Sequence, residues 1–340
     1  MTKRDHFLQI LDRKSTHCGF WHGYPNPASI DYLYKEFGVK DDHELGIVLG
    51  SNCRWVLPRE YGVWAHPEGK SMFGFQDWSE RESLSQPGIF ADCESVHDVE
   101  SYKDWPDVKY INLEGVSREI DRAIDAGQAV LSGMWACFFH DVADYFGMED
   151  YFVKMHTDPD VVEAVTDHVV DFYMQANDLL FKKCADRMDM YFFGNDFGSQ
   201  LDLMISPEAF RRFMLPSIRK LADQARSYGL RLMTHSCGSI GRIIPDLIDT
   251  GIEILHPIQA KAVGMDAKTL KKSFGDHLIF MGGVDTQELL PFGTPQEVRD
   301  EVRRLKDIFG PNYIVSPSHE SILPGVTAEN IRAMAEAAAE

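Results

Sequence analysis

Residues 188–238 read MDMYFFGNDFGSQLDLMISPEAFRRFMLPSIRKLADQARSYGLRLMTHSCG. The apolar run 188–193 is a strand that ends in Gly194-Asn195-Asp196. Ser206-Pro207-Glu208 then opens a helix, with a capping serine and a proline in the first turn. The helical pattern runs to about Tyr228, where Gly229 stops it, and residues 230–234 form the next strand. Outward from this stretch the rhythm repeats. Helices are expected at 239–249, 266–274, 294–309 and 327–339, and strands at 253–255, 278–281 and 313–315. From Met188 onward five strands are each followed by a helix. With a strand at 129–133 and a long helix at 159–183 before them, the pattern predicts an eight-stranded α/β barrel. A doubly wound sheet is the competitor, but no GxGxxG follows any strand, so dinucleotide binding has no support.

The first 130 residues are less regular. Helices are expected around Phe7, Leu8 and Leu11 and over 30–37, with an ordered aromatic loop from Cys18 to Pro27 between them. Trp55, Tyr61, Trp64, Phe73, Phe75 and Trp78 suggest short strands and loops covering a pocket mouth, with Asp77 beside Trp78 as part of that cap. The alternative is a small hydrophobic subcluster. The 340 residues are expected to form one barrel domain, with 1–128 as its divergent N-terminal part.

Composition narrows the function. The chain has 34 Lys+Arg against 53 Asp+Glu, a formal charge of -19 at pH 7, and a 44% hydrophobic fraction. The hydrophobic fraction supports a large core and argues against disorder. The acid excess argues against binding to nucleic-acid backbones or anionic membranes, both of which need basic surface. None of the six cysteines lies in a CxxC pair, which excludes a zinc-knuckle or thioredoxin signature. No signal-peptide core or bilayer-length apolar run is apparent, so a cytoplasmic protein is expected.

In a barrel the chemistry gathers where strands pass into βα loops. Those junctions are Asn195-Asp196, His235-Ser236-Cys237-Gly238, His256-Pro257-Ile258-Gln259, Gly282-Gly283-Val284-Asp285 and Ser318-His319-Glu320. His235 and Cys237, two apart on an extended segment, point the same way. An imidazole and a thiolate together suit zinc. His319 is the natural third ligand, with Asp196, Asp285 or Glu320 as oxygen donors. The structural alternative is a histidine bonded to a carboxylate beside a small buried cysteine. Asp196 and Asp285 are candidate acids, bases or orienting groups, or else helix caps. Gly238, Gly282 and Gly283 mark places for a ligand to approach the backbone, or tight turns.

Asn195-Asp196-Phe197-Gly198-Ser199-Gln200, Ser206-Pro207-Glu208, Phe213-Met214-Leu215-Pro216, His235-Ser236-Cys237-Gly238, Gly282-Gly283-Val284-Asp285-Thr286-Gln287, Gly293-Thr294-Pro295 and the His319…Pro324…Glu329-Asn330 end closely resemble the uroporphyrinogen decarboxylase superfamily over about 129–340. The resemblance implies a (β/α)8 barrel with an N-terminal extension. One branch decarboxylates uroporphyrinogen without a cofactor and carries an N-terminal Arg-rich stretch. Here Phe20-Trp21-His22-Gly23-Tyr24-Pro25 has no arginine, although His319 matches a histidine of that branch. The other branch comprises cobalamin-dependent methyltransferases that bind zinc through His-x-Cys plus a distant Cys. His235 and Cys237 match, while Ser318-His319-Glu320 holds no cysteine, so the zinc is expected on His-Cys-His or with a carboxylate. One thiolate fewer leaves a more Lewis-acidic metal, suited to polarising an ether or amine leaving group.

The resemblance therefore implies methyl transfer between a small substrate and the cobalt of a separate corrinoid protein. No corrinoid-binding segment is expected in the chain itself. His319, Asp196 and Asp285 are the expected catalytic groups, Gly238, Gly282 and Gly283 the cofactor-side backbone, and a homodimer follows by resemblance only. The alternatives are a metal-free decarboxylase acting on uroporphyrinogen or another carboxylated substrate, and a non-catalytic corrinoid- or tetrapyrrole-binding protein.

Overall fold

The computed structural model describes residues 1–73 and 83–340; Phe75, Asp77 and Trp78 lie outside the described residues. Eight parallel strands make the central sheet: β1 Gly19–Phe20, β2 Cys53–Val56, β3 Ala129–Ser132, β4 Met190–Gly194, β5 Arg231–His235, β6 Ile254–Ile258, β7 Ile279–Val284 and β8 Tyr313–Pro317. Their spatial order is β1-β8-β7-β6-β5-β4-β3-β2, so the two ends of the order are the first two strands in sequence. Asn52 brings these ends together. Its backbone N–H donates to the Phe20 carbonyl at 2.8 Å, and its side-chain oxygen accepts the Phe20 N–H at 2.9 Å. The result is the (β/α)8 barrel.

Alternation along the strands divides the apolar residues between two layers. Cys53, Trp55, Ala129, Leu131, Met190, Phe192, Met233, Ile254, Ile279, Met281 and Ile314 fill the barrel's interior. Val130, Tyr191, Phe193, Leu232, Leu255, Phe280 and Val315 point outward to the helical layer. The helix Lys3–Leu11 belongs to the inner layer, burying Phe7, Ile10 and Leu11 against it. Its start is held by a capping box between Thr2 and Asp5. Higher in the barrel, Trp21 stacks on Trp55 with ring centroids 3.8 Å apart.

Several expectations change in detail. The helix expected from Ser206 is three pieces: Pro207–Ala209, a π turn Phe210–Met214 and Leu215–Ser227. Pro216 lacks the N–H that would continue the i to i−4 ladder, which explains the widened turn. The aromatic stretch at Cys18–Pro27 contains β1, and Trp55 belongs to the barrel interior rather than to a cover. Trp64 and Phe73 pack against Phe172 of the long helix Pro159–Cys184. No helix among the described residues is long and apolar enough to cross a membrane.

Leu131 is fully buried inside the barrel, whereas Leu201 is exposed. Leu131→Ala is expected to lower unfolding free energy by about 2–5 kcal/mol in urea titrations. Leu201→Ala is expected to stay within about 0.5 kcal/mol of the parent. Equal effects of the two changes would contradict the assignment of the inner layer.

Candidate metal centre at the barrel mouth

The last inward position of β5 is His235, opposite Gly194 of β4 and His256 of β6. The extended chain beyond β5 keeps the two-residue period and brings Cys237 back to the same side. The His235 Nε2 atom lies 3.4 Å from Cys237 Sγ, 3.2 Å from Asp196 Oδ1 and 3.7 Å from Glu320 Oε2. The potential ligand atoms fall into two groups that share the cysteine. Asp196, His235 and Cys237 form one, and Cys237, His319 and Glu320 the other, with atoms in each within 4.8 Å of one another.

The surroundings hold these groups in place. His235 Nδ1 is 3.0 Å from Nδ1 of the buried His256, whose ring packs edge-on against Trp55 and Trp21. Asp196 Oδ1 accepts the Cys237 N–H at 2.8 Å, and the Asp196 N–H donates to His140 Nε2 at 3.3 Å. Trp135, in the loop after β3, packs its ring 5.3 Å from the His235 ring.

Burial alone would drive His235 toward the neutral form, but Cys237, Glu320 and Asp196 together raise its pKa well above the ordinary histidine value. The Cys237 thiol is itself pushed up to about 11 by burial, with His235 pulling the other way. At neutral pH the imidazolium therefore faces mainly the two carboxylates. Burial opposes ionisation of Asp196 too, yet the His235 hydrogen bond and charge hold it far below the usual carboxylate range. His256 is pushed the other way, by burial and then by His235 and His319, and stays neutral. A charged His235 thus donates from Nδ1 to His256 and from Nε2 to Asp196.

The donor set fits a metal ion. Glu320 Oε2 is buried with no hydrogen-bond donor, and it is 3.4 Å from His319 Nε2 as well as 3.7 Å from His235. A buried carboxylate oxygen that accepts no hydrogen bond, with only the His235 charge nearby, is a donor open to a metal ion. For bonds of about 2.0–2.3 Å the edges of a ligand tetrahedron measure roughly 3.3–3.7 Å, which the separations around His235 Nε2 approach. His319 is less well disposed. Its Nδ1 accepts the Ser321 N–H at 3.0 Å, which places the ring proton on Nε2, the atom facing Glu320. Glu320 is the better third donor.

Other candidates take structural roles. The Asp285 carboxylate accepts the N–H groups of Gln287, Glu288 and Leu289 at 3.0, 3.1 and 3.2 Å. It caps the short helix Leu289–Phe292 and is not among the groups gathered around His235. Gly238 (φ +85°) and Gly282 (φ +124°) lie where backbone meets backbone. A Cβ would strike the Gly198 carbonyl at the first and come within 2.5 Å of the Ile258 nitrogen at the second. Gly282 and Gly283 lie inside β7, and Gly238 lies in the loop after β5. A further correction concerns Asp41-Asp42-His43-Glu44-Leu45-Gly46, which has the Asp-x-His-x-x-Gly spacing of corrinoid-binding modules. Here it is a capped helix start, Asp41 accepting the Glu44 N–H, and His43 is buried away from solvent, where it cannot present a ligand to a cobalt ion.

With the geometry in view, a family model for uroporphyrinogen decarboxylase (URO-D) matches residues 82–340. The chain belongs to the URO-D family. Its curated relatives include the methylated-thiol–coenzyme M methyltransferase of Methanosarcina mazei, 26% identical over 201 residues, covering 57% of this chain and 48% of that protein. Methylcobamide:CoM methyltransferase MtaA of Methanosarcina barkeri is 30% identical over 136 residues, 40% of this chain and 37% of the relative. The chain thus spans less than half the length of these curated relatives. A solved structure described as a methyltransferase from Methanosarcina mazei superposes with a TM-score of 0.66 at 17% identity, covering 100% of this chain and 98% of the other. That likeness supports the fold. Within the URO-D family the relatives set this chain nearer the methyltransferase branch than the decarboxylases.

In the helix Phe138–Phe146, Asp141 is buried with its carboxyl pushed up to about 7 by burial, against hydrogen bonds from Tyr173 (2.7 Å) and Cys137. An acid whose folded pKa exceeds its unfolded value stabilises the fold least once both states are ionised. Stability from this group is present below about pH 4 and lost as pH rises to about 7. Asp141→Asn is expected to remove a pH-dependent loss on the order of a few kcal/mol between those values. Denaturant titrations of parent and variant should diverge as pH rises. Parallel pH profiles would contradict this.

Proposed function

We propose that the chain is a zinc-dependent methyltransferase, moving a methyl group between a small methylated substrate or thiol acceptor and the cobalt of a separate corrinoid protein. The observation that carries this reading is the His235–Cys237–Glu320 set, in which the buried Glu320 Oε2 atom accepts no hydrogen bond. The relatives, whose names are those of methyltransferases, support it.

In this reading His235 Nε2, Cys237 Sγ and Glu320 Oε2 hold the metal. A zinc ion there supplies a Lewis acid for the heteroatom that carries or receives the methyl group. The chain's own residues do the rest. His256 fixes the His235 ring through the Nδ1 contact, so that Nε2 is the atom presented to the cluster. Asp196 holds Cys237 by accepting its backbone N–H and keeps a negative charge 3.2 Å from His235 Nε2. His319, half-exposed and bearing its proton on Nε2, is the group placed to hand a proton to a leaving heteroatom. Trp135 packs over the His235 ring and rests on Phe192 of the barrel interior, which limits water on that side of the imidazole.

Elemental analysis of the purified chain should find about one zinc per chain, and the His235→Ala/Cys237→Ala double variant should have lost it. Glu320→Gln should bind zinc at least about 10-fold more weakly, and His319→Gln should keep it. Methyl transfer from free methylcobalamin to thiols, measured by loss of the methylcobalamin spectrum, should follow zinc content. Folded protein without zinc, or zinc retained in the double variant, would sink the reading.

A further inference from the structure

The loop that carries Trp135 from the end of β3 to the helix Phe138–Phe146 is bent against its own preference. Ala136 takes φ +48° and is fully buried. In that left-handed region the Cβ of an ordinary residue crowds the following carbonyl oxygen, and alanine has no polar side chain to offset the cost. Among the described residues the other non-glycine with positive φ is Arg13. It lies one residue past the C-cap of the first helix, where the left-handed conformation is common. Ala136 has no helix end to account for it. Strain of this kind persists only where surrounding bonds impose it, and it gathers at functional sites.

The imposing bonds come chiefly from Asn195. Its side chain is buried, donates from Nδ2 to the Ala136 carbonyl at 3.1 Å and accepts the Phe139 N–H on Oδ1 at 2.8 Å. One amide thus grips the strained residue and the first turn of the following helix together. The Asn195 backbone N–H donates to the His235 carbonyl at 3.0 Å, and the Gly194 N–H donates to the Trp135 carbonyl at 2.9 Å. Asn195 therefore ties the strand that carries His235 to the loop that carries Trp135. The indole is left 5.3 Å from the His235 ring and edge-on to Phe192 at 4.9 Å.

We propose that Asn195 is a latch: it holds the Ala136 loop in its strained form, seats Trp135 against His235 and so tightens the metal site. This rests on the metal reading above and adds a positioning residue to it. Asn195 touches neither metal nor substrate. With the latch released, Ala136 relaxes to an ordinary conformation, the indole leaves the imidazole, and one side of the His235 ring opens to water.

The test uses the purified full chain with Asn195→Ala and Asn195→Asp, each with and without Ala136→Gly. Aspartate keeps an acceptor for the Phe139 N–H and loses the donor to Ala136, so it carries the test if the alanine variant fails to fold. Trp135 emission is read as the difference between each chain and the same chain with Trp135→Phe, and zinc affinity by competition with a chromogenic chelator. Both Asn195 variants should shift that emission to the red and bind zinc at least about 10-fold more weakly. The added charge of aspartate draws zinc in, so a loss there comes from the loop. Ala136→Gly should restore most of both signals, since glycine adopts positive φ without strain. A general loss of packing would not be restored in this way. Unmoved emission, a shift that glycine does not reverse, or a shifted emission with zinc affinity unchanged overturns the proposal. A parent that binds no zinc, with emission that still follows the latch, removes the metal reading and leaves Asn195 as the group that seats Trp135. Zinc held equally by every variant with emission unmoved does the reverse.

Discussion

A protonated imidazole buried among acids organises the mouth of this barrel. His235 stands at the end of a central strand, nearly free of solvent, with Asp196, Cys237 and Glu320 all directed at its Nε2 edge. Holding one positive charge against two carboxylates in a low-dielectric site leaves negative charge in excess. The fold supplies the remedy only in part, through backbone N–H groups and neighbouring histidines. A divalent ion in place of the Nε2 and Cys237 thiol protons would leave the same net charge but sit among all of these donors at once, and thiolate and carboxylate are donors that zinc accepts.

Parallel register makes that concentration possible. His235 and His256 are paired across adjacent strands, so their rings meet without any loop having to fold inward. Asp196 arrives from the next strand on one side, and Glu320 from beyond the last strand, past β6 and β7. The barrel interior beneath is packed with Trp55, Phe192 and Met233, which fixes the height at which polar side chains begin. Above that level the same alternation that builds the core delivers ligands.

The legible half of the molecule is the half with period. From residue 188 onward strands and helices alternate with capping residues at their starts, and the observed strands fall where the apolar runs lie. β1 is different, since two hydrogen-bonded residues carry no alternation to read. Trp55 reads as part of a pocket cover or a small hydrophobic subcluster, yet it lies in the barrel interior, and the charged Arg54 beside it is buried against Glu119. At the site, His235 and Cys237 are legible because spacing of two on extended chain fixes a common face. Asp285 and Glu320 look alike in sequence, each an acid just past a strand. Only the folded chain separates them, the first satisfied by three N–H groups and the second with a buried oxygen that has no donor.

The measurement that bears most directly on the central claim is zinc K-edge X-ray absorption of the isolated chain. The account predicts a four-coordinate shell with one sulfur at about 2.3 Å and the remaining nitrogen and oxygen donors at about 2.0–2.2 Å. A shell of two or more sulfurs, a six-coordinate shell of oxygens, or no zinc edge at all would contradict it.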